Sequence, residues 1–464
     1  ALFDRGYEPL GHPYEKGLTF IWELAIPNKE ARYCLQPFAT KKGGKPDALC
    51  TEENKCPKCR RKRKHIRNIR FVSTSNYYTL PLAKLGSVFG MDKLNQEDEE
   101  RIDFARLDEY DIAPIIEYCE RDVDIIQRAM EALFKACLEG ERTGFGSFRN
   151  TLPAISFNAF KTWFLEPDTL FAHNNERAIR LERAAYYGGR VEVWKRGPAK
   201  EKVVGVDINS MYPHVMMEHT YPVKLISCTQ RETIGGMQEL IDRGYGVIAK
   251  VTINTDRNAY PYRHEGKLIF PTGRFITYLS TPEVQYALEH GHIEKLHELA
   301  IYEMAPVFRG FVRHFYSKRE HHKPHGDDPN PVWDLLYKLI LNSLYGKFGQ
   351  LKREWHIVGE CDPELVETEE QIDLSGDKPL VLRFRKFGGK VFVEDPIESI
   401  SYHAMPAIAA HVTAYARMLL WKYIQIAGEE NHYYNDTDSL FVNMEGYRRL
   451  QEAGALHETR LGAL

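Results

Sequence analysis

Three carboxylates have the spacing to do chemistry. Asp207 ends the apolar run VVGVD and opens DINSMYP at 207–213, and Asp436 and Asp438 flank Thr437 in YNDTDS at 434–439. Strand-like alternation through that second string would turn Asp436 and Asp438 to one side. Carboxylates are hard oxygen ligands, and an ion such as Mg²⁺ takes one or two of them and keeps other positions for phosphate oxygens. Between the acids lies KLILNSLYG at 338–346. There Lys338, Asn342 and Tyr345 recur at i, i+4 and i+7, opposite the apolar stripe Leu336, Ile340 and Leu344. A cation, an amide and a ring on one helix face suit a triphosphate, a sugar and a base. Lysine binds phosphate as a point charge and can protonate a leaving pyrophosphate. Taken singly, each feature has an ordinary reading: acids favour turns, and a helical lysine is commonly just solvated. The ordered trio is what argues for a site.

An acid, then a cationic helix, then an acidic hairpin is the order of motifs A, B and C in family B DNA polymerases. The chain resembles that family from about residue 70 to its end. The resemblance implies template-directed DNA synthesis with two Mg²⁺ (or Mn²⁺) ions. Asp207 and Asp438 would bridge them, Asp436 would be the weaker ligand, and Lys338 would join the chemistry. One ion would activate the primer 3′-hydroxyl and the other would hold the triphosphate. By the same resemblance Arg319, in FYSKRE, faces the triphosphate, and Tyr212 packs under the deoxyribose and excludes a 2′-hydroxyl. Ser210, Asn342 and Tyr345 complete the nucleotide site.

YYGGR at 186–190 is similar to the family's Y-x-G-G motif. Tyr186, Gly188 and Gly189 would meet DNA there, the glycines permitting close backbone approach to phosphates. Thr413 and Arg417 resemble a T-x3-R primer–template contact, which gives affinity without sequence specificity. YCERD at 118–122 matches the third 3′-5′ exonuclease motif, with Asp122 on a metal and Tyr118 orienting water. The first exonuclease motif is absent from the sequence. Phe3-Asp4 is a remnant of the second, which makes Asp4 a candidate. NSLYGKF and the long Asp207–Lys338 interval resemble the protein-primed branch, which implies a terminal protein as primer. The alternative is a DNA-binding relic of a polymerase without catalysis, against which the retained acids count.

The 464 residues exceed one compact core, so two or more domains are expected. Apolar residues at 43% and charged residues at 27% read as a soluble globular chain, and no apolar run is long enough to span a membrane. The net charge of −3 speaks against a uniformly basic nucleic-acid binder, yet KCRRKRKHIRNIR at 58–70 is strongly basic. Eight cysteines lack the dense spacing of a secreted disulfide scaffold. The location expected is cytoplasmic or a host-cell DNA compartment, not secreted, and the state a monomer. Cys34, Cys50, Cys56 and Cys59, with His65 nearby, could hold a structural Zn²⁺ or be free thiols in a basic loop. The chain begins with Ala, and no thumb follows the last hairpin, so a fragment clipped at both ends is expected.

Strands are expected at 17–25, 67–78, KVVGVDI, GVIAKVTI, 380–397 (a hairpin across Gly388-Gly389) and HYYNDTDSLFV. Helices are expected at 112–139, 157–164, after Thr281, at 308–320 with 331–345 as a hairpin, and at 406–426. In the first of these the apolar stripe reads Ile112, Ile115, Ile116, Cys119, Val123, Ile126 and Met130. The fold class expected is multidomain α/β. An RNase H-like exonuclease remnant precedes a right-hand polymerase with an antiparallel palm and helical-hairpin fingers. The segments are 1–175 (partial exonuclease with a Cys-rich insertion at 34–65), a 176–200 linker, palm 201–307 and fingers 308–349. An insertion or palm segment at 350–404 and palm at 405–464 complete them.

Overall fold

The structure, a computed structural model, describes residues 67–94, 112–138, 144–352, 355–373, 375, 380–394, 399–400 and 404–464, with strand backbone at 8–9, 14–16, 19–26, 37–38 and 48–49. They form two compact units, residues 1–80 with 351–401, and residues 81–350 with 402–464.

In the first unit the strand Thr19–Ile26 pairs antiparallel with Arg67–Val72, Ile21 opposite Val72. Residues 74–76, expected to continue the second strand, instead close into a 3-10 turn capped by Ser73. A four-stranded antiparallel sheet runs Trp355–Glu360, Lys390–Glu394, Leu380–Phe387, Glu367–Asp373. Its hairpin turns at Gly388-Gly389, where both residues take the positive φ that glycine permits.

The second unit begins with helices α1 (Leu82–Val88), α2 (Ile112–Leu138), α3 (Leu152–Trp163) and α4 (Glu176–Ala185). Strands β1 (Val191–Val193) and β2 (Val203–Asp207) follow, then α5 (Met211–Glu218), β3 (Tyr221–Thr229) and α6 (Ile234–Asp242). Next come β4 (Gly246–Thr255), β5 (Gly273–Ser280), α7 (Thr281–Glu289) and β6 (Ile293–Ala305). Helices α8 (Arg309–His322), α9 (Pro331–Ser343) and α10 (Pro406–Ala427) precede β7 (His432–Asp436), β8 (Ser439–Asn443) and α11 (Met444–Glu452). One antiparallel sheet has the order β5-β4-β6-β3 and the other β1-β7-β8-β2. Helices α4 and α10 cover the first through Leu181, Ala185, Ala407 and Ala410, packed on Ile248, Ala300 and Tyr302.

Two further expectations change. The buried side of α2 is Ile125, Ala129, Leu133 and Ala136, while Ile112, Ile116 and Val123 are exposed. Apolar residues occur on two stripes of this helix, and the one that faces α1 is buried, with Gly86 leaving room for Ile125. The stretch 141–200, read as a boundary, holds α3 and α4. α3 belongs to the base of the α8–α9 hairpin. Ser156 Oγ donates to the Ile340 carbonyl at 2.6 Å, and Phe160 meets Phe308, Phe311 and Phe348 at centroid distances of 5.2, 6.0 and 6.0 Å. The compact unit is therefore cut at 80/81, not near 175.

Candidate active site

β2 delivers Asp207 at its C-terminal end, opposite Ser439 of β8. One residue on, the Ile208 N–H donates to the Asp438 carbonyl at 2.7 Å. This pairing makes Asp207 and Asp438 neighbours. Burial and the Asp207 carboxylate push the Asp438 carboxyl up to about 6. Burial also raises Asp207, against the pull of Lys338.

Asp436 is placed differently. The chain reverses over Thr437 and Asp438, with Thr437 at φ 58°, and the Asp438 N–H bonds to the Asp436 carbonyl at 2.6 Å. Strand alternation does not pass through such a turn, which corrects the expectation that it aligns the two acids. The exposed Asp436 carboxylate accepts from Tyr434 at 3.4 Å and Thr437 at 3.1 Å. Asp207, Asp436 and Asp438 do not form a group whose ligand atoms all lie within 4.8 Å of one another.

The YYGGR segment is the floor of this turn. The Arg190 carbonyl accepts from the Thr437 N–H at 2.9 Å and from Asn435 Nδ2 at 2.8 Å. A Cβ on Gly189 would stand 2.8 Å from the Thr437 side chain, so this glycine serves the protein's own packing. Gly188 is exposed, with open space where a Cβ would be. The Tyr186 ring lies against Gly349. Sequence reasoning missed Arg190. Its fully buried guanidinium bonds Glu192 and lies over Phe270 at 4.1 Å and Trp421 at 4.9 Å. Its only sequence signal was its place after Gly-Gly.

Thr413 and Arg417 do not reach a DNA surface, a second correction. Arg417 is 2% exposed and pairs with the buried Glu283 at 2.7 Å; its Nη1 also donates to the Gly188 carbonyl at 2.9 Å. Thr413 Oγ1 bonds back to the Ala410 carbonyl at 3.1 Å. Both hold α10 from within, and Arg417 steadies the Y-x-G-G loop. The i, i+4 spacing showed a shared face but not what covers it.

α9 starts at Asn330, whose side chain accepts from the Val332 and Trp333 N–H groups, and Pro331 fits its first turn. Leu336, Ile340 and Leu344 are buried, while Lys338 and Asn342 are exposed. Tyr345 stacks on Tyr212 with centroids 4.4 Å apart and planes at 20°. Arg319 donates to Asp334 at 2.8 Å and to Ser210 Oγ at 2.9 Å. The acids, Lys338, Arg319, Ser210, Tyr212 and Tyr345 are thus carried by neighbouring elements of one unit.

On α2, Tyr118 and Asp122 share a side. Lys93 Nζ is 3.3 Å from the Asp122 carboxylate and 4.7 Å from the Tyr118 ring centroid, and its hydrogen bond to Tyr118 raises its pKa. Lys93 was not singled out from the sequence. Asp4, Cys34, Cys50, Cys56, Cys59 and His65 lie outside the described residues.

This geometry can be set beside known proteins. A DNA-directed DNA polymerase of Enterobacteria phage PRD1 is 27% identical over 353 residues, 74% of this chain and 57% of its own length. A probable DNA polymerase of Neurospora intermedia is 24% identical over 354 residues, 71% of this chain and 34% of its own. The chain thus spans about a third to just over half of these relatives. Phi29 DNA polymerase complexed with primer-template DNA matches with a TM-score of 0.60 at 18% identity, over 86% of this chain and 65% of that one. The fold is therefore the right-hand polymerase fold, of mixed α and β content. The family model for DNA polymerase type B, organellar and viral, matches residues 87–368, more than half of the sequence, and the chain belongs to that family.

Proposed function

We propose that this chain carries the palm and fingers of a template-directed DNA polymerase that adds dNTPs to a primer 3′-hydroxyl. The observation that carries the reading is the juxtaposition of Asp207 and Asp438, both under the influence of Lys338. Polymerases of this family generally use divalent ions, and the donor set fits them: two adjacent carboxylates whose mutual repulsion a hard cation would relieve. Divalent ions held there would activate the 3′-hydroxyl and stabilise the in-line transition state. Asp207 and Asp438 bind and orient, and Lys338 is the proton donor to the leaving pyrophosphate. Arg319 is held by Asp334 and Ser210 and meets the triphosphate when it enters. The stacked Tyr212 and Tyr345 form the floor for sugar and base. Gly188 leaves the backbone open to the template strand.

Priming by a terminal protein rests on NSLYGKF and the long Asp207–Lys338 interval. An exonuclease segment rests on Tyr118, Asp122 and Lys93. Primer extension with Mg²⁺ by a chain lengthened to that of its relatives tests the main reading, beside Asp207→Ala and Asp438→Ala. Extension by the parent and its loss in both variants is expected. Binding of primer-template without extension by the parent would leave the DNA-binding relic instead.

A further inference from the structure

The tip of the α8–α9 hairpin gathers a second set of ligand-type side chains that polymerase chemistry does not use. α8 ends at His321-His322, and KPHGDDPN returns the chain to α9. The Asp328 N–H donates to the His321 carbonyl at 3.0 Å, and the Asn330 N–H to the His322 carbonyl at 2.9 Å. Gly326 is tucked in so closely that a Cβ would stand 2.3 Å from the Glu320 carbonyl oxygen, and Pro324 and Pro329 restrict the remaining backbone. The loop is therefore held in one register, which returns Asp328 to the two histidines.

One nitrogen of each imidazole and one Asp328 carboxylate oxygen lie within 4.8 Å of one another, the single such group among the described residues. These side chains are not spent on each other: the His321–Asp327 and His322–Asp328 carboxylate contacts are each 3.5 Å, too long for good hydrogen bonds. His322 Nδ1 donates to the Asp328 carbonyl at 2.8 Å and is also the nitrogen 3.5 Å from the Asp328 carboxylate, so an ion bound between them takes the place of that proton. The His322 ring also lies parallel to Tyr337, with centroids 6.0 Å apart and planes at 8°, so its orientation is fixed before any ion arrives.

We infer that the fingers tip binds a Zn²⁺-class transition ion through His321, His322 and Asp328, with water or Asp327 completing four ligands. Imidazole with carboxylate suits zinc, whereas the all-oxygen pair Asp207–Asp438 suits hard ions, so the two sites are chemically separable. The bound ion ties the end of α8 to the loop that leads into α9, and these two helices carry Arg319 and Lys338. The inference does not depend on polymerase activity.

Calorimetric titration of the chelator-treated chain with Zn²⁺ alone tests it, beside Asp328→Asn and His321→Gln, both at exposed positions. The parent is expected to take up one more equivalent than either variant, or to bind that equivalent at least about tenfold more tightly. Asp438→Asn should keep this equivalent. Equal stoichiometry and affinity in the parent and both tip variants, or loss of the equivalent in Asp438→Asn, overturns the site.

Discussion

Thr437 holds the acidic turn in a conformation that a β-branched residue rarely adopts, φ 58°. Such a residue costs on the order of 1–3 kcal/mol. Thr437→Gly is expected to raise the melting temperature and lower the extension rate, because the strain and the contact with Gly189 go together. A melting temperature at or below the parent's would refute stored strain at this position. Asp438 makes a pH prediction. Its folded-state pKa of about 6 lies above the usual aspartate value of about 3.9. Between those values the folded state keeps a proton that the unfolded state has lost, so stability falls as pH rises through that window. In metal-free protein Asp438→Asn should therefore be more stable than the parent at pH 8, with the gap closing towards pH 4. Thermal melts of both across pH check this. Mg²⁺ at pH 8 should raise the parent's melting temperature and leave the variant's unchanged.

α10, α7 and the Y-x-G-G loop meet at the buried Arg417–Glu283 pair. Removing one partner of a buried pair leaves the other charge uncompensated, at a cost of about 3–5 kcal/mol. Arg417→Met should show that loss in urea unfolding, and adding Glu283→Gln should return part of it. A phosphate-binding arginine would also contribute about one unit to the salt dependence of DNA binding. From its buried place Arg417 should contribute none, so an unchanged slope in a variant that still folds supports the corrected role. Gly189→Ala tests the same loop from the other side. A methyl group meeting Thr437 should displace the acidic turn and lower extension more than it lowers the melting temperature.

The whole chain divides unusually, since residues 351–401 leave one unit and return to it. The points of departure and return are adjacent, because the Met405 N–H donates to the Phe348 carbonyl at 2.9 Å. A chain with 351–401 replaced by a short Gly-Ser linker should keep a cooperatively folded second unit, as excursions between adjacent ends usually allow. Circular dichroism melts would show one transition, and a broad or absent one would mean that the unit needs the excursion.

Local structure was legible before the long-range packing was. The limits of α2, α9 and α10 and the Gly-Gly hairpin follow from spacing, caps and turn residues, which act over a few neighbours. α4 was read as linker because Gly, Pro and polar residues mix through 141–200; half of ERAIRLERAA is charged, and its apolar half matters only once the β5-β4-β6-β3 sheet lies beneath it. The roles of Arg190, Gly189 and Arg417 depend on segments far away in sequence, Thr437 and Glu283 among them. Spacing fixes which residues share a face. Which face is covered, and so whether a cation waits for DNA or braces the protein, is set by long-range pairing, to which no local pattern has access.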